Sequence, residues 1–178
     1  MGYHHGDLPA ALIRTSFEVL ADCGLRRFSV AAVARRAGVS SAAPYRHFPD
    51  RDHLLSAVSG VAARELREAI EAAGSLAEAA GAYVRYVART GAGFHVIFAP
   101  ELYAVPDDER REQTRALMTT LIDLAGDVSY ERSLHRVEAT IAVAHGFTSL
   151  FADGFYTKHT ASVEDIAARA VAAATLLD

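Results

Sequence analysis

SVAAVARRAGVSSAAPYRHFPDRDHLL, residues 29–55, decides the fold of this 178-residue chain. Ser29 is placed to cap a short helix that runs to about Arg36, and Gly38 supplies a tight turn. Ser40 or Ser41 then caps another short helix ending near His47. Pro44 would break a helix interior but is tolerated in a first turn, where N–H groups lack intrahelical partners. Asp50, after Pro49, caps a long helix reaching about Ala73. A short helix, a tight turn and a second short helix form the layout of a helix-turn-helix, which lays its second helix in the major groove of DNA.

Outward from this stretch the chain reads as all-α. Apolar residues make up 51% of it, and much of that share is alanine, the residue with the strongest helix preference. Few segments alternate apolar and polar with period two, so strands are not expected. Leu12, Ile13, Phe17, Leu20 and Ala21 form the apolar stripe of a first helix, with Asp7 at its N-cap and Gly24 at its end. After the long fourth helix, Ser75 and Glu78 make a capping-box pattern opening a fifth. Gly91 and Gly93 interrupt it before a short apolar helix over 94–99. Pro100 and Pro106 bracket an irregular connection. Further helices follow over about 107–124, 131–151 and from Ser162 to near the C-terminus, with a loop over 154–160. The expectation is about nine helices: a three-helix helix-turn-helix domain at 1–53 and a helical domain at 54–178.

Charge is divided along the same line. The net charge is −4, yet residues 1–53 carry seven arginines and five acids, a net of +2, and the remainder carries −6. A basic head on an acidic body suits a DNA reader with a separate sensing domain. Cys23 is the sole cysteine, which excludes a disulfide within the chain and fits a reducing compartment. No apolar stretch approaches the ~20 residues of a membrane span, and MGYHHGDL lacks the features of a signal peptide, so a cytoplasmic protein is expected. HExxH, CxxC and GxSxG patterns are absent, and His135 and His145 are too far apart to share one helical turn. No catalytic residues, metal or cofactor are therefore expected.

The 29–55 stretch also resembles the DNA-binding signature of the tetracycline-repressor (TetR) family of bacterial transcription regulators. Ala34, Ala37, Gly38, Val39, Ser40, Tyr45, Phe48 and Leu54 fall where that family has the same residues. Pro44 and the YHHGDL opening at 3–8 are similar to one branch of it, and Val143-Ala144-His145-Gly146 resembles a His-Gly signature of that branch. Arg51 stands where the family usually has lysine. The resemblance implies a regulator that binds a double-stranded DNA operator. It makes Tyr45 and His47 phosphate contacts and gives base reading to the positions near 41–43 and 46. Ser40, Ser41, Ala42, Ala43, Tyr45 and Arg46 sit on or near the leading face. Ala42 and Ala43 suit a thymine methyl, and Arg46 a guanine or a phosphate. Ser29 and Arg51, each at a helix start, are further phosphate candidates. Tyr3, His4 and His5 are candidates for an arm beside the DNA.

For the second domain the resemblance implies a small-molecule effector pocket and a homodimer through the last two helices. Candidates for the pocket are Tyr83, Tyr86, Val87, Phe94, His95, Phe98, Met118, Leu121, Ile122 and His145, apolar or aromatic with a few polar tips. Candidates for the interface are Ile141, Ala142, His145, Gly146, Ser149 and Leu150, with Ile166, Ala167, Ala170, Val171, Ala174 and Leu177. The same stripes also suit the core of a single chain. The function expected is a repressor released from a near-palindromic operator by a hydrophobic ligand. A ligand-independent regulator and an activator remain open alternatives, and a helical enzyme is the alternative from another class.

Overall fold

The structure is a computed structural model and describes residues 7–126, 129–156 and 162–177. The Tyr3-His4-His5 arm lies outside the described residues. Among them all regular structure is helical: α1 (Leu8–Cys23), α2 (Val30–Arg36), α3 (Arg51–Ala73), α4 (Leu76–Thr90), α5 (Phe94–Ile97), α6 (Asp108–Ala125), α7 (Tyr130–Ala152) and α8 (Val163–Thr175). Three 3-10 turns join them, at Leu25–Arg27, Pro44–Arg46 and Pro100–Ala104.

Local chemistry sets most helix starts. The side chains of Ser29, Asp50, Ser75, Asp107 and Ser129 each accept the backbone N–H three residues on, and Ser162 with Asp165 completes a reciprocal capping box. Asp7 occupies the N-cap of α1 without such a bond.

The predicted recognition helix is instead a turn followed by one 3-10 turn at Pro44–Arg46. Pro44 explains the difference. It has no N–H to donate to Ser40, so the chain tightens, with Ala43 N–H donating to the Ser40 carbonyl at 3.0 Å and His47 N–H to Pro44 at 3.0 Å.

The long fourth helix of the sequence reading is α3, which runs from the head through the body. It packs on α1, α4, α5 and α6. Leu54, Leu55, Val58, Ala62, Leu66 and Ile70 are buried along it. Each such leucine or isoleucine contributes about 1.5–3 kcal/mol. Hydrogen bonds fix its register: Ser56 Oγ donates to Asp107 at 2.7 Å and Ser59 Oγ to the Ile97 carbonyl at 2.7 Å. A single buried cluster extends from Leu12 in the head to Ala174 in α8.

The last helix differs from expectation in which way it faces. Ile166, Ala167, Ala170 and Ala174 are buried within their own chain, with α8 packed chiefly on α4. Gly81 makes this possible: a Cβ there would lie 2.8 Å from Val171 Cγ2. These four residues therefore close the core of one chain and are not interface residues. Ala142 and Leu150 of α7 and Ala168, Ala172 and Leu176 after or on α8 stay exposed.

Candidate DNA interface and ligand cavities

The turn of the helix-turn-helix is built by Gly38. Its φ of +69° lies in the left-handed region open to glycine. Gly38 N–H donates to the Arg35 carbonyl at 3.2 Å and Val39 N–H to Ala34 at 3.1 Å, the two bonds that close a helix C-terminus. Val33, Ala34, Ala37 and Phe48 are buried beneath the turn. Above it Ser40, Ser41, Ala42, Tyr45, Arg46 and His47 face solvent, with Ala43 half-buried. Tyr45 is 53% exposed although it is a large aromatic. Arg46 has no ion-pair partner among the described residues. An exposed tyrosine, a free guanidinium and two hydroxyls on one tip suit phosphates and base edges.

Two of the other expected contacts have work inside the protein. The Ser29 hydroxyl accepts Ala32 N–H at 3.2 Å as the cap of α2. The Arg51 guanidinium turns back onto the chain. It donates to the Phe28 carbonyl at 3.3 Å and the Leu25 carbonyl at 3.4 Å, and pairs with Asp52 at 2.9 Å and Glu101 at 3.5 Å. Its centre lies 5.9 Å from the Phe28 ring. Arg51 thus ties the segment over 25–28 in the head to Glu101 in the body. Arg36 is likewise committed, to Asp22 and Glu18 of α1.

In the body, an aromatic column occupies the place expected for a pocket. Tyr83 stacks on Phe94 with centroids 5.0 Å apart, and Phe94 on Phe98 at 5.6 Å. The Tyr83 hydroxyl accepts Phe94 N–H at 3.1 Å and lies 2.9 Å from His145 Nδ1. Burial pushes the Tyr83 hydroxyl up to about 12. The cavity beside this column, bounded by Tyr83, Phe94, Leu121, Ile141 and Ala144, measures only about 10 Å³. It has room for about one water.

The other candidates divide. Val87, His95 and His145 line a separate crevice of about 440 Å³. Met118 and Ile122 are half-buried against the core and border neither space. Tyr86 does not join the group. It is 2% exposed, its hydroxyl donates to Glu65 at 3.4 Å, and Arg89 covers its ring at 5.3 Å. Burial first and Glu65 second raise its pKa. Three residues along α4 from Tyr83, it points to α3 instead of to α5 and α7.

The Arg51 latch and the head–body crevice escaped the sequence reading. An arginine at a helix start gives no sign of which carbonyls it will meet. The crevice depends on where α1 and α7 converge. Among the described residues no helix is long and apolar enough to cross a membrane, and no group of three or more His, Cys, Asp or Glu is gathered for a metal.

Comparison with known proteins fits this geometry. Residues 12–58 match the family model described as bacterial regulatory proteins, tetR family, and residues 76–174 match the tetracyclin repressor-like C-terminal domain. Over 59 residues the chain is 39% identical to the HTH-type transcriptional regulator BetI of Stenotrophomonas maltophilia, a match covering 33% of this chain and 30% of that protein. A protein of unknown function from Rhodococcus sp. RHA1 has a similar structure, with TM-score 0.69, 25% identity, and 98% of this chain and 96% of that chain covered. The TetR-like regulator LfrR of Mycobacterium smegmatis in complex with proflavine has TM-score 0.62 at 19% identity, with 94% of each chain covered.

Proposed function

The chain belongs to the tetR family of bacterial regulatory proteins, and from that premise we propose that it is a repressor that leaves its operator when a small hydrophobic ligand binds. It is a DNA-binding transcription regulator, not an enzyme. The observation that carries the DNA-reading part of this proposal is the exposed tip at Ser40–His47, held by the Gly38 turn over a buried core. Ser40, Ser41, Ala42, Ala43 and Arg46 are assigned to base edges. Tyr45 and His47 are assigned to phosphates, with Ser29 adding its backbone end of α2. Arg51 is left out of the set. We place the head at 1–53 and the body at 54–178, and the chain in the branch with the YHHGDL opening. The site of action is the cytoplasm, where the operator lies.

Two-fold pairing follows from what one tip can reach. Reading a near-palindromic site takes two heads about 34–36 Å apart. The pairing face proposed is the outward side of α7 and α8, with Ala142 and Leu150 beside Ala168 and Ala172. A ligand acts by preferring one pose of α3, whose 23 residues run from the Asp50 cap to Gly74 and span about 34 Å. A second reading, a regulator that answers to no small molecule, draws support from the interior cavity of about 10 Å³.

The test is fluorescence anisotropy against duplexes selected by the protein from a random pool, near physiological salt and with excess competitor DNA. One near-palindromic sequence is expected to bind tightly. Tyr45→Ala combined with Arg46→Ala is expected to weaken it by about 100-fold, as loss of two contacts of about 1–3 kcal/mol each would do, without a change in melting temperature. Binding no tighter than to random DNA, unchanged in the double variant, refutes the assignment.

A further inference from the structure

The crevice of about 440 Å³ lies between the end of α1 in the head and α4, α5, α7 and the start of α8 in the body. Its volume is in the range of small-molecule sites, about 300–1,000 Å³. Leu20, Val87, Phe151 and Val163 supply apolar walls, and His95 and His145 stand together on one side, their rings 5.7 Å apart.

The buried Tyr83 hydroxyl already accepts Phe94 N–H, and it stays protonated at neutral pH. Its own proton has His145 Nδ1, 2.9 Å away, as partner. Nε2 is then the His145 ring nitrogen that Tyr83 leaves free for a ligand. His95 stays neutral as well, because desolvation and, second, the neighbouring His145 hold its pKa below the ordinary histidine value. Tyr83 of α4 is the other titratable group against the pair. The lining residues of α1, α4 and α8 add no carboxylate or cation. Two imidazoles in a partly apolar crevice, with no counter-charge of their own, form a site that an anion completes.

We infer that this crevice takes an amphipathic carboxylate, its oxygens on the His95 and His145 rings and its apolar tail along Leu20, Val87, Phe151 and Val163. This rests on the effector-released reading above and names the chemistry of the effector. The bound carboxylate favours the imidazolium form, so binding draws a proton from solvent. Affinity is therefore greatest at low pH and falls as pH rises through the histidine range, by up to about tenfold per unit. The position links the ligand to DNA binding. Gly91, at the rim, packs so closely on α1 that a Cβ there would lie 2.5 Å from Ala21 N. A tail beside that contact bears on the joint between head and body, and it weakens operator binding by as much as it prefers the displaced pose.

Titration calorimetry of the full chain with decanoate and with naphthoate tests this, at about pH 6 and about pH 8, in two buffers of different ionisation enthalpy. The matching amides serve as neutral controls. The expected result is that at least one carboxylate binds about tenfold or more tightly than its amide at the lower pH, takes up a fraction of a proton, and weakens the selected operator duplex. His95→Gln, checked for folding by thermal melting, is expected to remove most of the proton uptake and weaken carboxylate binding by about tenfold. Binding of neither carboxylate, equal binding of acid and amide, or proton uptake unchanged in His95→Gln overturns the inference. Operator affinity is measured without ligand in the same series. A chain that binds its duplex and ignores both carboxylates refutes this inference alone. One that binds a carboxylate but no specific duplex refutes the repressor reading instead.

Discussion

In the head the residues assigned to DNA are open to solvent, Tyr45 at 53% exposure with Arg46 and His47 beside it, whereas in the body Tyr83 is 2% exposed and sealed under Phe94. Both regions rest on the same buried cluster, so the contrast is not one of stability. It is a contrast of readiness. The tip is presented on a turn that needs no rearrangement to meet a groove. The aromatic column leaves space for about one water, and a ligand must either displace Phe94 and Phe98 or bind elsewhere. That difference directs attention to a wall the two regions share, the contact of Gly91 with α1.

Breaking that contact gives the largest effect expected. Gly91 combines a φ of +66° with backbone atoms of Leu20 and Ala21 within 2.7 Å of where a Cβ would lie. A side chain there meets both conformational strain and a collision that no rotamer relieves. Gly91→Val is expected to cost about 4 kcal/mol, lowering the melting temperature by about 10 °C. Differential scanning calorimetry checks it. If head and body are joined as described, both melt together at the lower temperature. A variant as stable as the parent would mean that α1 does not rest on α4.

The head was legible in the sequence because its determinants are local. Gly38, the caps at Ser29 and Asp50 and the buried Val33, Ala34 and Phe48 act on neighbours within a few residues. At the recognition turn only the pitch differs from the sequence expectation. Pro44 suits the first turn of an α-helix, but its missing N–H toward Ser40 gives a 3-10 turn instead. The body was legible as helices but not as contacts. Periodicity shows that 166, 167, 170 and 174 share a face. It does not show that Gly81 opens a seat for Val171 and turns this face to α4. The same limit separated Tyr83 from Tyr86, which share a helix and a residue type yet meet different neighbours. Arg51 shows it too: its partners at Leu25, Phe28 and Glu101 come from two segments far apart in sequence.

The pairing face sharpens the comparison by asking whether the body, closed within one chain, is also closed between two. With Ile166, Ala167, Ala170 and Ala174 used internally, the outward alanines Ala168 and Ala172 remain for a partner. Ala172→Glu places a charge on that face opposite its own symmetry mate. Burying an unpaired carboxylate and meeting a like charge is expected to weaken a dimer by about 100-fold. Sedimentation velocity across a dilution series reads this directly, and thermal melting of the separated chain should change little because Ala172 is exposed on α8. A dimer that persists unchanged at the same dilution moves the interface off α8.

The smallest effect separates the two tasks that Ser29 can hold in the head. As a cap its hydroxyl accepts Ala32 N–H, and Ser29→Ala is expected to cost about 1 kcal/mol, close to 3 °C in melting temperature for a chain of this size. As a phosphate ligand the same hydroxyl would add its own contact to operator affinity. Ser29→Asp distinguishes them. Aspartate caps as well as serine does, so stability is expected to recover. A carboxylate facing a phosphate repels it, so operator binding is expected to fall below that of Ser29→Ala if DNA comes that close. Recovery of stability with no further loss of binding assigns Ser29 to the fold alone and confines the reading surface to the exposed tip.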